Sequence, residues 1–137
     1  MRIFLPTEAA VHEAVRMATV ERFAGLAAVV WSDATGVELL APGTSKGEAV
    51  RWLARSMGLG MADVAAVGDA PNDLEMLRAA GRAVAMGNAP AEVLAAADIV
   101  VPPTGEDGIL RAFSWLFPEL ADGLGVVTER KASRTVA

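Results

Sequence analysis

Cysteine and tyrosine are both absent from this 137-residue sequence, and aromatic residues make up only 5% of it. Without cysteine there is no disulfide framework, no thiolate metal site and no sulfur nucleophile, a composition suited to the reducing cytoplasm, which is the expected location. Basic residues are in deficit: 12 Lys and Arg stand against 17 Asp and Glu, for a formal charge of -5. Such a chain has no basic field with which to hold a nucleic-acid backbone or an anionic membrane, so neither is expected as a partner. Long apolar runs are missing too. The longest, Phe23 to Trp31, falls far short of the roughly 20 residues that span a bilayer, and the first residues lack the apolar core of a signal peptide.

What the chain does have is alternation. Hydrophobic residues are 53% of it, mostly Ala, Val and Leu, as in α/β domains whose helices pack closely on a sheet. The length suits one folded unit. "MRIFLP" reads as a strand stopped by Pro6, and Thr7 can cap a helix carrying Val11, Val15 and Ala18 at the helical period. "LAAVVWS" and "VELLAP" read as a hairpin around a turn containing Asp33. From Gly43 the grammar changes. A helix capped by Thr44 or Ser45, with Val50, Leu53, Ala54 and Met57 on one face, stops at Gly58. Three strand-and-helix pairs follow, opened by "VAAV", "RAVAM" and "DIVV", with Asn88 as the cap of the second helix and Ile109, Phe113 and Leu116 in register on the third. This order predicts a parallel sheet with helices on both faces. His12 is expected in solvent and the three tryptophans in packing roles.

The chemistry concentrates in "AAVGDAPNDLEML", Ala65 to Leu77. Asp69 follows a strand at the carboxyl end, where open α/β sheets bind ligands. Gly68 lets the backbone turn sharply beside a ligand. Asp73 lies in the next turn, with Asn72 beside it as an amide able to donate to phosphate oxygen. Magnesium takes hard oxygen ligands and typically only one or two carboxylates, which leaves room for water and substrate phosphate. The plainer reading makes both aspartates satisfiers of backbone N–H groups at a helix start. Lys46 opens a helix, where the dipole disfavours a cation, so its ammonium calls for an anion nearby.

"TSKGEAVRWLARSMGL", "VAAVGDAPNDLEMLRAAG", "RAVAMGNAPAEVLAAADIVV" and "EDGILRAF", in this order, resemble the C-terminal half of a haloacid dehalogenase superfamily phosphatase, and more narrowly the Cof-type, subfamily IIB members. The resemblance implies a partial Rossmann-like core over residues 43–118, the end of an α/β cap over 1–42 and a flexible tail over 119–137. It implies that Lys46 contacts substrate phosphate and the nucleophile, that Asp69 binds magnesium with Asp73 in support, and that Asn72 and Asn88 border the phosphate pocket. Manganese could replace magnesium at such ligands. The implied substrates are small phosphorylated metabolites such as sugar phosphates.

One departure matters. The family attacks phosphorus with the first aspartate of an Asp-x-Asp-Gly-Thr motif, and no Asp-x-Asp occurs in this sequence. Asp73 and Glu75 are two apart within a predicted helix, so they point in different directions. The chain is therefore expected to begin inside the cap, to lack the nucleophile segment and to be inactive alone. "VAAV" would then form a bare sheet edge that invites a complementing N-terminal half chain or a second copy. Three origins fit: a split or truncated enzyme, a self-pairing protein, or a fragment of a longer product. The alternative function is a non-catalytic module that binds phosphate or metal, or assembles through that edge.

Overall fold

The computed structural model describes residues 2–31, 33 and 35–121. Strand β1 (Ile3–Pro6) leads through helix α1 (His12–Arg22) to β2 (Ala28–Val30) and β3 (Gly36–Leu40). These strands form an antiparallel sheet in the order β1-β3-β2, so the expected hairpin is present, with Val29 opposite Leu39. Its turn is held by Asp33, whose Oδ1 accepts from the Thr35 amide at 2.8 Å and hydroxyl at 2.6 Å. Those bonds, the hydroxyl first, hold the Asp33 carboxyl below its usual pKa.

Helix α1 corrects two expectations. Thr7 does not cap it: the helix begins at His12 after Val11, without a side-chain cap, and the Thr7 hydroxyl lies 2.9 Å from Nδ1 of His12. His12 is buried rather than solvated. A ring that meets a hydroxyl can be enclosed without leaving that nitrogen unpaired. The packed side of α1 is thus His12 and Thr19, while Val11 is exposed.

Helix α2 (Lys46–Ser56) begins at Ser45, whose Oγ accepts from the Glu48 amide at 3.0 Å. It ends as expected at Gly58, where φ is +70°. The Gly58 amide donates to Arg55 O at 3.1 Å and the Leu59 amide to Ala54 O at 2.9 Å, the paired bonds that a left-handed residue after a helix permits. The predicted apolar face is only partly packed: Ala54 is buried, while Leu53 and Met57 are exposed. Trp52 is exposed as well, against its expected packing role.

Strands β4 (Ala65–Gly68), β5 (Arg82–Met86) and β6 (Ile99–Val101) make a parallel sheet in that order. Helix α3 (Leu74–Ala79) links β4 to β5, and α4 (Ala91–Leu94) links β5 to β6. Helix α5 (Gly108–Leu116) and the short α6 (Pro118–Ala121) follow. Successive residues of a strand face opposite sides, and β5 divides the core accordingly. Ala83 and Ala85 pack with Leu77 and Val93 of α3 and α4, whereas Val84 and Met86 pack with Ala112 and Leu116 of α5. Ile109 and Phe113 were expected on the packed face of α5, but both are exposed. Asn88 does not cap α4, which starts after Pro90. Of the tail expected over residues 119–137, 119–121 belong to α6, and the rest lies outside the described residues. No helix among the described residues is long and apolar enough to cross a membrane.

Candidate active site

In a parallel sheet all carboxyl ends lie on one side, so Asp69, Asn88 and Thr104 follow β4, β5 and β6 at the same rim. Lys46 is the first residue of α2 and reaches that rim from the neighbouring helix. Its Nζ forms an ion pair with Oδ1 of Asp73. The anion called for by a lysine at a helix start is therefore Asp73.

Asp73 is 4% exposed and spends its other oxygen on the backbone. Oδ2 accepts from the Asp69 amide at 3.0 Å and the Ala70 amide at 3.1 Å. These bonds fold the strand exit back over the one-turn 3-10 helix Pro71–Asp73. The turn is tight enough to require glycine at 68: a Cβ there would lie 2.6 Å from Cβ of Asp73. Both oxygens of Asp73 are thus committed within the protein. Asp69 differs. It is exposed, and Oδ2 accepts from Nδ2 of Asn88 at 3.1 Å, while Oδ1 has no hydrogen-bond partner among the described residues.

Asn72 supplies the irregular feature. Its Oδ1 is buried without a hydrogen-bond partner, a condition that costs about 1–3 kcal/mol unless something meets it. Asn72 and Lys46 line a cleft of about 300 Å³. Arg2 and Glu38, themselves an ion pair at 2.7 Å, line the same cleft from the antiparallel sheet. The cleft is thus lined by the antiparallel sheet on one side and by the start of α2 and Asn72 on the other.

Helix α2 is fixed to α3 just beside it. Arg51 bonds to both Glu48 and Glu75, and a Cβ on Gly47 would lie 2.7 Å from Cγ of Glu75. The Ser45 hydroxyl, then Arg51, hold the Glu75 carboxyl below its usual pKa. Lys46 thus starts from an anchored turn.

The oxygens present suit a hard cation bound partly by others. Among the described residues no three His, Cys, Asp or Glu side chains converge on a point, so these residues form no closed cage for a metal. One exposed carboxylate with an unengaged oxygen, backed by a second carboxylate, is what magnesium accepts when water and phosphate complete its shell. The sequence reading missed Thr104. Its signal was positional, a hydroxyl three residues past the third parallel strand.

The sequence profile of the haloacid dehalogenase-like hydrolases matches residues 2–113. The chain belongs to this family. The haloacid dehalogenase-like chain is 45% identical over 96 residues to a phosphoglycolate phosphatase of Methanoculleus marisnigri, covering 70% of itself and 41% of that protein. It superposes on a haloacid dehalogenase-like hydrolase from Bacteroides thetaiotaomicron with a TM-score of 0.69 at 32% identity, over 85% of this chain and 44% of that one. With a subclass IIB sugar phosphatase of the superfamily the TM-score is 0.75 at 27% identity, over 85% and 43%. These matches support the Cof-type resemblance and the Rossmann-like α/β core. The chain spans less than half the length of each of these three relatives.

Proposed function

We propose that this haloacid dehalogenase-like chain carries the phosphate- and cation-binding half of a phosphomonoester hydrolase of the cytoplasm, acting on sugar phosphates or similar small metabolites. The supporting observation is the convergence of Lys46, Asp69, Asn72 and Asp73 at the carboxyl rim of the parallel sheet. Asp69 presents its unengaged oxygen to magnesium, and Asp73 holds Asp69 and Lys46 in place from behind. When bound, magnesium supplies positive charge that offsets the charge on the transferring phosphoryl oxygens.

The chain's own residues do the rest of the binding. The Lys46 ammonium faces the phosphate and orients the attacking carboxylate. Asn72 donates from its amide nitrogen to a phosphate oxygen. The nucleophilic carboxylate comes from a polypeptide outside this sequence. It bonds to phosphorus as the alcohol leaves, and water then releases phosphate from the aspartyl-phosphate.

A second reading is an assembly or ligand-binding module without catalysis. It is favoured by β4, which pairs only with β5 and so leaves one edge open among the described residues. Leu53 on α2, Met57 just after it and Phe113 on α5 are exposed apolar side chains. A complementing half chain or a second copy would cover this edge.

Turnover of a generic phosphomonoester with magnesium separates the readings. The purified chain is expected to be inactive, and to gain activity when mixed with a polypeptide bearing the Asp-x-Asp-Gly-Thr half of a family member. Asp69→Asn is expected to abolish the gain. Turnover by the chain alone, lost in Asp69→Asn, would reveal a nucleophile within these residues and overturn the divided-site reading. Failure of any such half to restore activity would favour the assembly module.

A further inference from the structure

The rim contains a relay that the proposed chemistry has not used. Asn88 donates from Nδ2 to Oδ2 of Asp69 at 3.1 Å. Its own Oδ1 accepts from the Thr104 amide at 3.3 Å and the Thr104 hydroxyl at 3.4 Å. The three contacts fix which way the amide faces. Nitrogen meets the carboxylate and oxygen meets two donors, whereas the reversed amide would set oxygen against oxygen at Asp69 and its NH2 against the Thr104 backbone N–H. Residues after three adjacent strands are thereby joined across the rim.

We propose that Thr104 is a positioning residue for cation binding, acting through Asn88 to hold the Asp69 carboxylate with Oδ1 turned to the ligand. This rests on the reading of Asp69 as the cation ligand. Asp69, Asn88 and Thr104 are all exposed, so water competes for each bond. The two bonds from Thr104 are also long for hydrogen bonds. The amide orientation therefore depends on both acting together. The backbone donor is present whatever residue occupies 104, which leaves the hydroxyl as the replaceable part. A carboxylate free to rotate spends part of its time with neither oxygen correctly aimed, and cation affinity falls by that fraction. Outer partners of metal ligands typically contribute about 10–100-fold in affinity. Exposure places Thr104 at the lower end, about tenfold.

The test uses the full chain and Mn2+ as probe, with free ion measured by electron paramagnetic resonance and thermal midpoints measured in parallel. Thr104→Val is expected to weaken Mn2+ binding about tenfold with an unchanged midpoint, because the residue is exposed. Thr104→Ser restores the hydroxyl and is expected to bind like the unmodified chain. Asn88→Ala is expected to lose at least as much as Thr104→Val. Wild-type affinity in Thr104→Val or Asn88→Ala, or Thr104→Ser as weak as Thr104→Val, overturns the relay while leaving Asp69 as the ligand. Binding that is absent from the unmodified chain, or survives Asp69→Asn, overturns the ligand reading and the relay with it.

Discussion

Replacing Asp73 with alanine is expected to destabilise the chain by about 3–4 kcal/mol in urea unfolding followed by circular dichroism. The carboxylate is nearly fully enclosed, and its loss removes the acceptor for two backbone amides as well as the partner of Lys46. Ala70 is buried, so its amide has little access to water as a substitute. The ionic part is the smaller share, because the Lys46 side chain is 50% exposed and solvent screens it. Lys46→Met should accordingly cost only about 1 kcal/mol. A loss below about 1 kcal/mol in Asp73→Ala would mean that the strand exit holds its shape without that carboxylate.

The second large effect concerns turnover. In the enzyme restored by a complementing half, Lys46→Met is expected to lower kcat by about 100–1,000-fold, the usual consequence of removing one donor that meets charge developing in the transition state. Lys46→Arg is expected to recover little, since a planar fork does not reproduce a compact ammonium beside Asp73. The small stability cost separates this loss from unfolding. A drop of less than tenfold in kcat, with KM raised instead, would assign Lys46 to substrate binding alone.

Local signals carried much of the architecture. The Ser45 cap, the glycine at 58 and the short apolar strands each act within a few residues, so sequence spacing records them. Burial of the helix faces was less legible. The spacing of Leu53 and Met57 marks an apolar stripe, yet whether anything covers a stripe depends on segments distant in sequence or absent from it. His12 and Thr7 were misplaced for a different reason: a hydroxyl before a helix is a cap by pattern, but α1 starts only at His12, five residues on, where the Thr7 hydroxyl meets the ring instead. At the site, Asp69, Asn72 and Asp73 stood out because they follow a short apolar strand at its carboxyl end, and Lys46 because a cation at a helix start conflicts with the dipole. Thr104 carries no such conflict. A threonine in a proline-bearing loop is ordinary, and its contact with Asn88 arises only when β5 and β6 align in register.

The internal use of Asp73 also sets the sign of the electric field at the rim. Its charge is matched by Lys46, whereas the exposed Asp69 carboxylate has no cationic side-chain partner among the described residues. A phosphomonoester dianion approaching alone meets repulsion from that group, whereas a divalent cation reverses the local sign. If Asp69 holds the cation as proposed, cation and phosphate binding are expected to be linked, and linkage is reciprocal: the factor by which the cation tightens phosphate binding equals the factor by which phosphate tightens cation binding.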